Sequence, residues 1–200
     1  LNLPNLLTIL RVLLTPLLII FLIDRRFDLA FAVFVMAGIS DGLDGFLARL
    51  LKQKTRLGAI LDPLADKALL TSSYVTLAVI GLIPNWIAVV VISRDLIIIL
   101  GVTVLLLFRA RVEICPSLIS KLTTLIQLIT IFVVLASKVL QLHHEILLHF
   151  LYVATALFTV ASGLHYIWLG IQMLGNGNNG PPQEGPIHAG SGEEEKGAGL

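Results

Sequence analysis

The chain has 200 residues, of which 56% are hydrophobic and 14% charged, with a formal net charge of +1. A charged share so far below that of a soluble domain points to a bilayer, and cations scattered among apolar runs exclude a nucleic-acid surface. Cys115 is the only cysteine, so neither an intramolecular disulfide nor a cysteine zinc site can form.

Six apolar segments are each long enough to cross the hydrocarbon as a helix. The first, 6–23, lacks a basic leader and precedes several equally apolar segments, so it reads as a spanning helix rather than a secretory signal. Asn5, Thr8 and Arg11 recur at three-residue intervals and put a polar stripe on it. Helix capping by Asn5 and interfacial snorkelling by Arg11 explain the same residues without a pocket.

The second and third segments, 29–50 and 59–82, hold the dense polar cluster. Asp41 and Asp44 stand at i, i+3 near the end of one, and Asp62 and Asp66 at i, i+4 near the start of the other, so each pair shares a helical face. The joint at 52–56 is short, which predicts antiparallel neighbours and four carboxylates converging on one small volume. Like charges in a partly dehydrated site take up protons unless a cation compensates them. Lys67 and Arg49 are candidates, but ligation by several carboxylates suits a hard divalent ion such as magnesium, manganese or calcium. Helix ends in a wet headgroup region would explain one or two of these aspartates, whereas charged residues inside spans mark function by default. Gly42, Gly45, Ala48, Gly58, Ala59 and Ala65 accompany the carboxylates, and such residues admit either a flat ligand or a closely packed helix.

After the Pro84-Asn85 turn, the fourth segment, 86–108, contains Arg94-Asp95, and the fifth, 119–141, opens on Ser120-Lys121. Both pairs are placed to face an anionic acceptor, although Asp95 also serves as a partner for an otherwise costly intramembrane arginine. Arg109 and Arg111, in the joint at 109–117, read as topogenic charges. The His143-His144-Glu145 corner with His149 reads as an interfacial turn before the sixth segment, 146–173, and Trp86 and Trp168 as boundary anchors. With six spans both termini share a side, which also carries Lys52, Lys54, Arg56, Arg109 and Arg111 against Arg25 and Arg26 opposite. The positive-inside bias makes that side cytosolic. The expected fold is all-α and integral to the membrane: six transmembrane helices with a polar, metal-binding cavity on the cytosolic side, spanning 1–174. Residues 175–200, rich in Gly and Pro and ending near Glu193-Glu194-Glu195, read as a disordered cytosolic tail.

The aspartates fit a longer pattern, D-x2-D-G-x2-A-R-x8-G-x3-D-x3-D, with Asp41, Asp44, Gly45, Ala48, Arg49, Gly58, Asp62 and Asp66 at every fixed position. It resembles the signature of the CDP-alcohol phosphotransferases, and the opening LNLPNLLTILR is similar to that family as well. The resemblance covers roughly residues 1–140. It implies that Asp41, Asp44 and Asp62 bind a divalent metal, Mg2+ or Mn2+, gripping the pyrophosphate of CDP-diacylglycerol. Asp66, beside them in the metal set, is implied as the base. By the same resemblance Asp44, Gly45, Ala48, Arg49 and Gly58 surround the nucleotide, and Asn5, Thr8 and Arg11 border the same pocket; Arg94 and Lys121, read from their placement outside the motif, are the candidates for the lipid or acceptor phosphate. Within the family, ISRDLIII followed by PSLISKLTTLIQ is most similar to CMP-forming cardiolipin synthases, whose acceptor is phosphatidylglycerol. Phosphatidylglycerophosphate synthases, which use glycerol 3-phosphate, usually carry a second arginine where Val102 stands here.

The implied localisation is a bacterial inner membrane with the active site toward the cytosol; oligomeric state is open, a homodimer included. An ion- or proton-coupled transporter also uses intramembrane carboxylates, but its repeats and midplane broken helices are not visible in this chain. An inactive scaffold is disfavoured by the intact acid set.

Overall fold

The computed structural model describes residues 3–51, 56–107, 118–142 and 145–176, with side-chain surroundings described for 8–43, 64–101, 103, 118–142 and 145–172. The joints at 52–55, 108–117 and 143–144, and the expected tail from 177 onward, lie outside the described residues. Each apolar segment becomes one helix: α1 Leu3–Ile23, α2 Phe27–Leu51, α3 Arg56–Val79, α4 Asn85–Leu107, α5 Leu118–Val139 and α6 Glu145–Asn176.

The boundaries depart from the hydropathy reading mainly at α3, which runs three residues earlier at both ends than expected. Its stop is conformational. Gly81 adopts a left-handed φ of 77°, and the amides of Leu82 and Gly81 bond back to the carbonyls of Leu77 (2.8 Å) and Ala78 (3.0 Å), the paired closure of a Schellman cap. The same closure ends α1, where Arg25 takes φ 57° and Arg26 N–H reaches Phe21 O at 2.9 Å. There the Arg26 guanidinium also covers the Phe21 ring at 5.9 Å. At the end of α5, Gln141 has φ 53° and Leu142 N–H bonds Ser137 O at 2.9 Å. Because α1 starts at Leu3, Asn5 lies inside its first turn rather than capping it.

Residues at i, i+3 and i, i+4 spacing form the core: Leu14, Leu18 and Leu22 on α1 join Ala30, Phe34 and Ala37 on α2, with Leu70, Tyr74 and Leu77 from α3. The buried alanines let α1 and α2 approach closely. α1 packs on both α2 and α3, α4 on α6 and α3, and α5 on α6, α2 and α3. Among the described residues α1 packs on both motif helices, α2 and α3, while the joint at 52–55, where those two would meet as neighbours, lies outside the described residues.

The interior is unusually polar and the surface apolar. Thr123, Gln127 and Thr130 of α5 are buried against Thr155, Thr159 and Ser162 of α6. Gln127 Nε2 donates to Thr159 Oγ1 at 3.2 Å, the Thr130 and Thr155 hydroxyls meet at 2.8 Å, and Thr123 Oγ1 donates to Phe158 O at 3.0 Å. Tyr74 OH ties α3 to this seam through Gln127 O at 3.1 Å. Leu13, Val79, Val89, Leu118, Ile146 and Phe150 all project outward, a distribution that water would penalise. Two helices among the described residues are long and apolar enough to cross a membrane, Leu118–Val139 and Glu145–Gln172, with mean hydropathies of 2.1 and 1.8.

Candidate active site

Two members of the polar stripe of α1, Thr8 and Arg11, point inward. Both are buried, and Arg11 is the largest side chain among the described residues with no exposure. Its Nη2 lies 2.7 Å from Asp41 Oδ1 on α2, and its Nη1 pairs with Asp66 Oδ1 on α3. Thr15 Oγ1 donates to the Arg11 carbonyl at 3.0 Å, one turn on. One carboxylate from each half of the motif is thus gathered on a single guanidinium. A buried arginine is tolerable only with such partners, and two carboxylates on facing helices are tolerable together only with such a cation.

The aspartates are not sealed in. The Asp41 and Asp66 side chains remain 46% and 42% exposed, although Arg11 beneath them is fully buried. The donor set of carboxylate oxygens on an open face fits a hard divalent cation. The side chains of Asp44 and Asp62 lie outside the described residues, as do those of Asn5, Gly45, Ala48, Arg49 and Gly58; their backbones fall within α1, α2 and α3. Among the described residues no group of three or more His, Cys, Asp or Glu gathers.

A second polar centre begins one residue along α3. Lys67 Nζ pairs with Asp95 Oδ1 on α4, and the same oxygen lies 2.8 Å from Arg94 Nη1. Arg94 Nη2 donates to Ser120 Oγ on α5 at 2.7 Å and to Ser162 Oγ on α6 at 3.0 Å. The guanidinium also sits 5.9 Å from the Tyr166 ring centroid, and its stem passes Gly163, where a Cβ would stand 3.7 Å from Arg94 Cγ. This centre holds α3, α4, α5 and α6 together. Among the described residues its charge balance is opposite to that of the first, two cations on one carboxylate against two carboxylates on one cation.

Lys121 is exposed and lines an open groove with Ser120, Thr124, Leu125 and Leu128. Ser120 therefore links the groove to Arg94, and the two cations differ in setting, Arg94 enclosed by protein partners and Lys121 open. Glu145, His149, Trp86 and Trp168 are exposed, and Trp168 stacks near His165 with centroids 6.3 Å apart. Sequence reasoning missed Ser162 and the α5–α6 hydroxyl seam. The available signal was the i, i+4 and i+3 spacing of Thr123, Gln127 and Thr130 and of Thr155, Thr159 and Ser162 within otherwise apolar runs.

Known proteins are similar to this chain. The chain is 37% identical over 185 residues to the cardiolipin synthase (CMP-forming) of Rattus norvegicus and to that of Homo sapiens; the overlap covers 84% of this chain in both cases, and 61% and 62% of those proteins. It thus spans about three fifths of the length of these two relatives. It is 32% identical over 176 residues to the CDP-diacylglycerol--glycerol-3-phosphate 3-phosphatidyltransferase of Aquifex aeolicus (strain VF5), covering 86% of this chain and 98% of that one. A family model, CDP-alcohol phosphatidyltransferase, matches residues 1–167, and the chain belongs to that family.

Proposed function

We propose that this chain is a six-span integral membrane enzyme that moves the phosphatidyl group of CDP-diacylglycerol onto a glycerol-type hydroxyl and releases CMP. The acceptor is phosphatidylglycerol and the product cardiolipin. The observation that carries this reading is the convergence of Asp41 and Asp66, from the two halves of the family motif, on one buried guanidinium beneath an open face. The outward apolar side chains and inward hydroxyls support six spans in lipid, where polar groups must find partners inside the protein. The basic residues beside the motif joint support a cytosolic site in a bacterial inner membrane.

In this mechanism Asp41, Asp44 and Asp62 hold Mg2+ or Mn2+ through carboxylate oxygens, and when bound the cation supplies Lewis-acid polarisation of the pyrophosphate. Asp66 accepts the proton of the acceptor hydroxyl as that oxygen bonds to the phosphatidyl phosphorus and the bond from this phosphorus to CMP breaks. No covalent enzyme intermediate is required. Gly45, Ala48 and Gly58 leave room for the cytidine, and Arg49 supports its phosphate. Arg94, fastened by Asp95, Ser120 and Ser162, frames the acceptor pocket, and exposed Lys121 on the adjoining groove meets the acceptor phosphate.

Glycerol 3-phosphate is the second acceptor reading, supported by the Aquifex relative, whose length this chain covers almost completely. Val102, where phosphatidylglycerophosphate synthases usually carry an arginine, favours phosphatidylglycerol. The test offers purified protein CDP-diacylglycerol and Mg2+ with either acceptor and identifies the lipid made. Cardiolipin from phosphatidylglycerol alone is expected; phosphatidylglycerophosphate instead selects the second acceptor. Absence of CMP release with both, together with no metal-dependent CMP binding, would return the chain to the transporter class.

A further inference from the structure

Arg11 has a position that neither lipid contact nor charge compensation explains by itself. Its guanidinium is fully buried, whereas the Asp41 and Asp66 side chains that it pairs with stay partly exposed. Each carboxylate takes a different terminal nitrogen, and the carboxylates belong to different helices. Among the described residues, what joins those two side chains is a planar fork whose nitrogen spacing is fixed by covalent geometry. A fully buried guanidinium cannot withdraw to water when a ligand arrives. Thr15 on the following turn, bonded to the Arg11 carbonyl at 3.0 Å, and buried Thr8 on the preceding one hold the α1 segment that carries it.

We propose that Arg11 is a positioning residue: a strut that fixes the separation and orientation of the Asp41 and Asp66 carboxylates, so that the site binds a divalent cation with Asp66 already aimed. The inference rests on the metal-dependent reading above and assigns Arg11 a role through the aspartates rather than on substrate. Charge and geometry make separable predictions. Arg11→Lys keeps the positive charge but offers one ammonium where the fork places two nitrogens on two carboxylates.

The test uses the full chain in nanodiscs, titrated with Mn2+ alone and followed by electron paramagnetic resonance, with melting measured in EDTA. Arg11→Lys is expected to stay helical and to bind Mn2+ about 10–100-fold more weakly, the range for groups that orient metal ligands. Its kcat at saturating Mg2+ falls while KM for CDP-diacylglycerol changes little. In Arg11→Ala, added guanidinium restores Mn2+ binding and added ammonium does not.

Wild-type Mn2+ affinity in folded Arg11→Lys overturns the strut, as does a raised KM with unchanged Mn2+ affinity, which marks a phosphate contact. Equal rescue by ammonium overturns the geometric part, leaving charge alone. Loss of fold in both variants, unrelieved by guanidinium, assigns Arg11 to the scaffold and overturns it too. A wild-type protein that binds no Mn2+ defeats the underlying metal reading, an outcome distinct from all of these.

Discussion

Asp95 holds two cations of very different burial, and removing its charge separates their contributions. Arg94 is 4% exposed in its side chain and Lys67 41% exposed. Asp95→Leu leaves the guanidinium with the Ser120 and Ser162 hydroxyls and the Tyr166 face, while Arg94 Nε has no hydrogen-bond partner in any case. Stranding a buried charge in this way costs about 3–5 kcal/mol. Asp95→Asn retains an oxygen acceptor for Arg94 Nη1 and is expected to cost less, about 2 kcal/mol, near the value of one hydrogen bond to a charged group. Lys67→Met breaks the other ion pair, which water screens, and should cost about 0–1 kcal/mol. The double change Arg94→Met with Asp95→Leu removes both buried charges and should recover most of the loss, giving a large coupling in the cycle. The assay is equilibrium unfolding in mixed micelles of rising SDS fraction, followed by far-ultraviolet circular dichroism. A Lys67→Met cost equal to that of Asp95→Leu, or a double variant costing the sum of its singles, would refute the assignment of the energy to the buried pair.

Asp66→Asn is expected to abolish turnover while leaving CMP binding largely intact; near-normal turnover would remove Asp66 from the proton-accepting role. Thr155→Val breaks the hydroxyl contact to Thr130, 2.8 Å long and buried between α5 and α6, and should cost about 0.6 kcal/mol and at most about 1.7 in the same SDS titration. Gly163→Ala should be neutral, because the added Cβ would meet Arg94 Cγ at an ordinary 3.7 Å. Gly163→Leu should displace the guanidinium stem and lower both stability and kcat, and the comparison of the two variants by unfolding and by CMP release checks this.

Much of the architecture was legible in the amino-acid order. Apolar runs of spanning length marked the helices, and each starts and ends within a few residues of the hydropathy reading because burying or exposing a long apolar run leaves the chain little choice. Caps were less legible. Gly81 announces a left-handed stop, but Arg25 and Gln141 take the same conformation without glycine, and no local residue preference marks them. The pairing of the two motif halves was legible in the spacing of Asp41 and Asp66, while the group joining those two was not, since Arg11 is 55 residues from Asp66 and looks like an interfacial snorkel in isolation.

The sequence by itself determined the helical class, the helix positions, the family and the spacing of the acidic motif, because periodicity and spacing are local properties carried along one strand of chain. Only the tertiary structure decided which inward faces meet. It put α1 against both motif helices with Arg11 at their junction, and it enclosed Arg94 among Asp95, Ser120 and Ser162 while leaving Lys121 open. The physical reason is that a helical face specifies what must be buried but not against whom. That choice is made by packing and by pairing charges that low dielectric would not tolerate alone.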